Sequence, residues 1–105
     1  MSQKVKASYF DGKTGCYGDN LYDGKYYYAE LSKDYTKLDF CALGCLSKHQ
    51  KLKITYKGKS VIAIKGDVGG GGPNHPKIDL HMVTAKKLGF DFNKGIDTVT
   101  IEKVS

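Results

Sequence analysis

The sequence contains no arginine: all 17 of its basic side chains are lysines, and the formal net charge is +6. Bidentate recognition of phosphate or guanine favours the planar guanidinium of arginine, whereas lysine is a point charge on a flexible stem. The composition therefore argues against a nucleic-acid partner. It favours loose attraction to an acidic polymer or surface.

Tryptophan is also absent, and the aromatic side chains are eight tyrosines and four phenylalanines. No apolar run is long enough for a signal sequence or a membrane span, so we expect no membrane partner. The protein is then either cytosolic or one whose leader has been removed. The 105 residues correspond to a single domain, 1–105, that can bury a core without a metal ion.

Cysteine is scarce, with only Cys16, Cys41 and Cys45 present. An odd number is compatible with one disulfide and one free thiol or with three buried thiols, so it does not define the redox compartment. Cys41 and Cys45 form a CxxxC pair, but no second pair exists to complete a zinc site. Nothing local supports a cysteine–histidine nucleophile.

Short segments of alternating polarity dominate the chain. They predict strands over residues 5–10, 26–31, 51–56, 60–65 and 98–104, the third and fourth joined as a hairpin at Lys57-Gly58-Lys59. Helical spacing predicts a helix over 81–88 that Gly89 closes, and a short helical turn is expected at 32–35. Many short strands with little helix indicate a small barrel or sandwich.

The most unusual stretch is 65–80, where four successive glycines at 69–72 lie between Asp67 and Asp79. Glycine lets the backbone turn sharply or lie close against a ligand. A loop with an acid at each end is therefore a candidate site for chemistry. The alternative is a long connection whose acids serve as a turn residue and a helix cap.

Known cofactor motifs do not fit this loop. Neither its glycines nor the Gly-Lys-Ser of the hairpin matches a phosphate-binding fingerprint. His75, Asp79 and His81 could approach a metal ion, but a solvated histidine and a helix cap explain them equally well. No cofactor and no metal are expected.

Several motifs occur in a recognisable order: Ala7-Ser8-Tyr9-Phe10-Asp11, Gly15-Cys16-Tyr17-Gly18, Ala29-Glu30-Leu31-Ser32, the Cys41 to Cys45 knot, Gly58-Lys59-Ser60-Val61, Gly66-Asp67 and Ile78-Asp79-Leu80. This order resembles the expansin, loosenin and barwin group, whose relatives include family 45 endoglucanases and lytic transglycosylases. The resemblance covers residues 4–104. It implies a mainly β fold, a six-stranded double-psi β-barrel with one or two short helices, in which the hairpin sits centrally and the helix packs on one end.

The resemblance also implies roles by position. Ser8 and Tyr9 match the family's Thr-Tyr pair, and Asp67 matches the aspartate before the active loop. Asp79 matches the general acid of family 45 hydrolases, and Asp11 lies where those enzymes carry the base. Asp79 is expected to be the more buried acid with the raised pKa, because two carboxylates that share a site do not both ionise cheaply.

Further side chains are candidates for contact with a sugar. They are Ser8, Tyr9, Phe10, Tyr17, Tyr22, His75 and the tyrosines at 26–28. At least half of these tyrosines are expected to be ordinary strand residues with one face in the core.

Relatives commonly pair the cysteine of Gly-Cys-Tyr-Gly with the first cysteine of the later knot. The resemblance therefore implies a Cys16–Cys41 disulfide and a free Cys45. The family partner of Cys45 is missing, because the active loop here has Val68 and glycines instead. The surface tryptophans and the second, cellulose-binding domain of plant expansins are absent from this sequence.

Three functions fit these features. The first is a secreted, extracellular monomer that binds a cell-wall polysaccharide such as cellulose, chitin or peptidoglycan and loosens it without hydrolysis. The second is a glycoside hydrolase or lytic transglycosylase with Asp79 as acid and Asp11 or Asp67 as base or stabiliser. The third is a protease inhibitor or a defence or virulence protein. We favour the first, because Asp11 precedes Gly12, where a turn is a sufficient explanation.

Overall fold

The structure, a computed structural model, describes residues 2–104. Its elements in chain order are β1 (Ser2–Phe10), β2 (Tyr27–Glu30), β3 (Lys51–Tyr56), β4 (Lys59–Val68), β5 (Ile78–His81), α1 (Met82–Leu88) and β6 (Asp97–Val104). The strands close into a barrel in the order β1-β5-β2-β4-β3-β6. The predicted mainly β, six-stranded closed barrel is confirmed, and it carries one short helix within the described residues.

The connections combine local and distant pairings. β1 pairs with β5 and β2 with β4 in parallel, and the other neighbours are antiparallel. The β3–β4 hairpin turns at Lys57 and Gly58, whose φ angles of 45° and 86° are those of a type I′ turn. In a closed barrel no strand is central. The hairpin instead lies between β2 and β6.

The sequence pattern predicted five strands, and β5 is the one it missed. This segment directly precedes the predicted helix and overlaps it at His81. Ile78 and Leu80 are fully buried, and Asp79 between them is partly exposed, which is the alternation of a strand. An alternation of only four residues is too short to be recognised in the sequence beside the helical spacing that follows it. In place of the helical turn expected at 32–35, the chain forms a turn over 35–38. Asp34, just before this turn, accepts a hydrogen bond from the Thr36 N–H at 3.0 Å.

The interior of the barrel is filled by alternate residues of every strand. The buried set comprises Val5, Ala7, Tyr28, Leu52, Ile54, Tyr56, Val61, Ala63, Ile78, Leu80, Val99 and Ile101. Side chains alternate along a strand, so the intervening residues point to the outer face. Ser8, Ala29 and Asp79 are among them.

The helix α1 is fastened to β2 by one buried side chain. Thr84 Oγ1 accepts a hydrogen bond from the Tyr27 N–H at 2.8 Å and donates one to the Tyr27 carbonyl at 2.7 Å. The predicted end of the helix is confirmed, because Gly89 forms its C-cap with φ 71°. Within residues 2–104, no helix has the length and apolar character needed to cross a membrane.

A buried ion pair organises the loop that contains the cysteine knot. Glu30 is fully buried, and its carboxylate accepts hydrogen bonds of 2.8–3.0 Å from the N–H groups of Leu43, Cys45 and Leu46. The Lys65 ammonium lies 2.9 Å from the same carboxylate. A buried ion pair offsets its desolvation cost only when further hydrogen bonds satisfy both groups, as they do here.

The implied Cys16–Cys41 disulfide is wrong. The structure contains a Cys41–Cys45 disulfide and leaves Cys16 free. The two bonded cysteines are brought together because Glu30 draws the N–H groups of Leu43 and Cys45 onto one carboxylate oxygen. Cys45, which lacks the partner that it has in family members, is thus bonded to Cys41, four residues before it.

Candidate functional site

A row of four residues crosses four neighbouring strands on the outer face of the barrel. In the register, Ala29 of β2 is paired with both Asp67 of β4 and Asp79 of β5, and Asp79 is paired with Ser8 of β1. Paired residues point to the same face of a sheet. The two aspartates are therefore two strand spacings apart, about 9–10 Å between their Cα atoms. We call these four residues the carboxylate row.

Asp79 is the partly buried acid of this row. Its burial raises the pKa of the carboxyl above the usual range, and the nearby charge of Asp67 raises it further. The Ser8 hydroxyl donates a hydrogen bond to the Asp79 carboxylate, which opposes both effects by stabilising the ionised form. The raised pKa expected from the sequence is thus present, and the row combines an acid of raised pKa with a second carboxylate.

Asp67 is fixed by the Gly-Cys segment that follows β1. Its Oδ1 accepts hydrogen bonds from the Cys16 N–H at 3.1 Å and from the Val68 N–H at 2.9 Å. Gly15 permits this approach, because a Cβ at that position would lie 1.8 Å from the Gly66 carbonyl oxygen. Burial and the charge of Asp67 raise the pKa of the Cys16 thiol. The free thiol therefore lies beside the row in its protonated form.

Next to Ser8 and Asp79, the same face of β1 and β5 carries Phe10 paired with His81. The His81 ring is fully buried between the rings of Phe10 and Tyr22, with centroid distances of 5.3 and 4.7 Å. Its Nδ1 accepts a hydrogen bond from the N–H of Val83, so Nε2 carries the proton and donates it to the Gly12 carbonyl at 2.8 Å.

Asp11 lies at the edge of this aromatic group. One of its carboxylate oxygens accepts a hydrogen bond from the Tyr22 hydroxyl and lies 3.9 Å from His81 Nε2. The hydrogen bond to Asp11 raises the pKa of the Tyr22 hydroxyl. The Asp11 side chain is 59% exposed, and the Tyr22 residue is 47% exposed. Asp11 is thus on the same side of the barrel as Asp79 but is held by a tyrosine.

The structure does not bring every candidate into the row. Tyr9 follows Ser8 on β1 and therefore points to the opposite face, where its ring packs edge-on against Phe92 at 4.7 Å. His75 lies on the exposed glycine-rich loop beside Tyr35, with ring centroids 6.0 Å apart. His75, Asp79 and His81 do not gather, and the described residues contain no group of three metal-ligating side chains.

Two glycines of the loop pack closely against leucine side chains of the same protein. A Cβ at Gly69 would lie 2.9 Å from the Leu31 side chain, and a Cβ at Gly70 would lie 2.8 Å from Leu38. The Gly69 N–H also donates to the Glu30 carbonyl at 3.0 Å. At these two positions the close approach expected of the glycines is therefore explained by internal packing.

Sequence reasoning missed four residues that build the site. Ala29 separates the two aspartates, His81 supports Asp11 and Tyr22, and Glu30 with Lys65 holds the neighbouring loop. A signal existed for the ion pair, because Glu30 follows the apolar run 26–29 and Lys65 follows the apolar run 61–64. No signal in the sequence indicated that Ala29 would pair with both aspartates.

No family model matches the sequence, and none of the curated proteins does. Solved structures similar in fold to this chain include an expansin, a papain inhibitor and a cerato-platanin. A mutant expansin of Clavibacter michiganensis in complex with cellohexaose is 21% identical to this chain, with a TM-score of 0.71. The match covers the whole of this chain but only 51% of the expansin chain. The Streptomyces papain inhibitor is 16% identical with a TM-score of 0.64, covering 100% of this chain and 96% of that one.

Cerato-platanin 3 from M. perniciosa is also 16% identical, with a TM-score of 0.61, covering 98% of this chain and 95% of that one. Identities this low establish the fold alone. The chain therefore has the double-psi β-barrel fold that expansins share with these smaller proteins.

Proposed function

We propose that this chain is an extracellular, expansin-like protein that binds a cell-wall polysaccharide across the carboxylate row and weakens contacts between polymer chains without cleaving them. The observation that carries the proposal is the pairing of Asp79, partly buried and with a raised pKa, with the hydroxyl of Ser8 on the outer face of the barrel. The expansin of similar fold was crystallised with cellohexaose, which supports a β-glucan as the first polymer to test. The Cys41–Cys45 disulfide supports an oxidising compartment.

The chemistry of loosening follows from the two acids. The Asp79 carboxyl, whose raised pKa favours the protonated form, is the donor to a hydroxyl or glycosidic oxygen, while the Asp67 carboxylate accepts a hydrogen bond from a sugar hydroxyl. Hydrogen bonds to an ionised group are about twice as strong as neutral ones. They compete with the neutral hydrogen bonds that hold one polymer chain to the next.

The aromatic group at the end of β1 extends the surface. The Tyr22 ring is 47% exposed, and its hydroxyl is fixed by Asp11. A fixed aromatic ring offers apolar contact area at low entropic cost. The polymer would therefore run from Asp67 across Asp79 towards Tyr22.

Hydrolysis requires more than these groups. An inverting glycosidase needs a second carboxylate about 6.5–9.5 Å from the acid, with space for an activated water. Asp11 is the candidate base, but its oxygen accepts the Tyr22 hydroxyl and its side chain is 59% exposed. The lack of a positioned base costs on the order of 10²–10⁴ in rate. If Asp79 acted as acid and Asp11 as base, product analysis would reveal the cleavage.

The test uses the purified protein with cellulose, chitin, xylan and peptidoglycan. Binding by pull-down, released sugars and the mechanical weakening of a polymer sheet are measured together. Asp79→Ala, which removes the donor that an asparagine would keep, should abolish weakening, and neither protein should release sugars. Glu102→Ala, at an exposed acid of β6, is the matched control and should behave as the wild type. Sugar release that Asp79→Asn abolishes would establish a hydrolase, and weakening that survives Asp79→Ala would remove the row from the mechanism.

A protease inhibitor is the second candidate. The Streptomyces papain inhibitor matches this chain over nearly the full length of both proteins, whereas the expansin is twice as long. The corresponding test is inhibition of papain at stoichiometric concentration. Inhibition that Asp79→Asn leaves unchanged would favour this function over the first.

A further inference from the structure

A cavity of about 450 Å³ lies between the loop that precedes β3 and the end of β6, apart from the carboxylate row. Its charged side chains are Lys48, Lys51 and Lys103, with His49 between the first two, and no aspartate or glutamate lines it. A second cavity of about 180 Å³ shares His49 and Lys51 with it. A concave surface lined by cations alone concentrates anions, because its positive charges add.

The walls of this lysine cavity are held in place by the barrel. The His49 N–H donates to the Lys65 carbonyl at 3.2 Å, and the Lys65 N–H donates to the Gln50 carbonyl at 3.0 Å. The Gln50 side-chain amide bonds the carbonyls of Lys51 at 2.9 Å and Val104 at 3.1 Å. His49 itself has φ 63°, an uncommon conformation for a residue other than glycine. Such conformations persist where the surroundings enforce them, and they occur preferentially at functional sites.

The three lysines are free to meet a ligand. Among the residues that the structure describes, no carboxylate forms a salt bridge with Lys48, Lys51 or Lys103. Asp19, which lines the second cavity, is bonded to His49, because its Oδ2 lies 2.7 Å from His49 Nε2. All three lysines are exposed, so their hydration is the main competitor for an incoming anion.

An aromatic ring connects the cavity with the carboxylate row. The Tyr17 ring lies edge-on to His49 with centroids 5.9 Å apart, and the Lys48 ammonium lies 5.7 Å from the centre of the Tyr17 ring. The preceding residue, Cys16, donates its N–H to Asp67. A chain of sugar rings that leaves the row at Asp67 would therefore pass Tyr17 before it reaches the lysines.

We infer that the lysine cavity binds the carboxylate groups of a polyuronate, an acidic polysaccharide. Lysine suits such a ligand, because isolated carboxylates on successive rings need point charges rather than the planar fork that bidentate recognition requires. The absence of arginine disfavours a nucleic acid, whose base edges and phosphates are read mainly by guanidinium groups. The lysine cavity is a separate site from the carboxylate row, but the identification of its anionic ligand as a polysaccharide rests on the proposed function.

The test compares binding of a polyuronate and of its fully methyl-esterified form, which has the same backbone without charge, at about 0.15 M salt. The wild type should bind the charged polymer and not the ester. The triple variant Lys48→Gln, Lys51→Gln, Lys103→Gln should bind it about tenfold more weakly, since each exposed ion pair contributes a few-fold.

The matched control removes three exposed lysines elsewhere, Lys33→Gln, Lys86→Gln and Lys87→Gln, so that both triple variants have a net charge of +6 − 3 = +3. The control should lose less than twofold. Equal losses in the two triple variants would overturn the site in favour of unspecific attraction, and equal binding of the ester would overturn the role of charge. Lys48→Gln alone decides the matter if the triple variant unfolds: about twofold weaker binding supports the site, and unchanged binding overturns it.

Discussion

Ser8 and Asp79 are direct partners in the parallel pairing of β1 with β5, and the Ser8 hydroxyl donates a hydrogen bond to the Asp79 carboxylate. This hydrogen bond stabilises the ionised form, whereas burial and the charge of Asp67 favour the protonated form. The protonation of Asp79 is thus set by a balance that a single hydroxyl can shift.

Ser8→Ala should raise the pKa of Asp79 further, because it removes the one interaction that favours the carboxylate. A carbon NMR titration of the aspartate carboxyls measures this shift directly. Ser8→Thr keeps the hydroxyl and should leave the pKa unchanged. An unchanged pKa in the alanine variant would show that the hydroxyl donates elsewhere, and a lower pKa would show that it accepts a hydrogen bond from protonated Asp79.

Asp79→Asn should stabilise the fold at neutral pH. A carboxyl whose pKa is raised in the folded state makes the wild type lose stability as the pH rises above the ordinary value of 3.8. The asparagine variant has no such loss, so its advantage in melting temperature should be small near pH 3 and larger near pH 7. Glu102→Gln serves as the control, and an advantage that shrinks with rising pH would contradict the assignment.

Asp97 should show the opposite pH dependence. The Thr98 N–H, the Tyr56 hydroxyl and Lys94 hold its pKa at about 2, below the ordinary value of 3.8. The resulting stabilisation is complete above the ordinary value and is lost as the pH falls towards 2. Asp97→Asn should therefore lower the melting temperature at pH 6, and the difference should shrink between pH 4 and pH 2. Tyr56→Phe, which removes one of the three donors, should give a smaller change with the same pH dependence.

Glu30→Gln should be strongly destabilising. It leaves the Lys65 ammonium buried without a counter-charge, and breaking a buried pair in this way costs about 3–5 kcal/mol. Urea denaturation followed by circular dichroism measures the loss. The double variant Glu30→Gln, Lys65→Met should recover part of it, since no uncompensated charge remains. A cost below about 1 kcal/mol, as expected for the exposed Glu102→Gln, would show that water reaches the pair.

Thiol labelling under denaturing, non-reducing conditions should find one reactive cysteine, and peptide mapping should identify it as Cys16. Replacing Cys41 and Cys45 together by serine should cost up to about 2 kcal/mol, because the disulfide closes a very short loop. Labelling at Cys45 would restore the pairing that the family resemblance implied. Three labelled thiols would indicate that the disulfide does not form.

The sequence by itself determined the elements that local chemistry specifies. Alternation of Leu52, Ile54 and Tyr56 fixed the hairpin strand, and Lys57-Gly58 fixed its turn because both residues adopt positive φ. Gly89 ended the helix for the same reason. The order of the motifs indicated the barrel, and position in those motifs named Ser8 and Asp79 as candidate site residues.

Tertiary structure decided what depends on contacts between distant segments. β5 is a strand because β1 and β2 pair with it on either side, and its four residues alone do not specify one. Cys41 meets Cys45 because Glu30, a residue of another strand, gathers the loop around its carboxylate. Tyr9 faces Phe92 and Ser8 faces Asp79 because adjacent residues of a strand point to opposite faces, and only the closure of the barrel determines which face is buried.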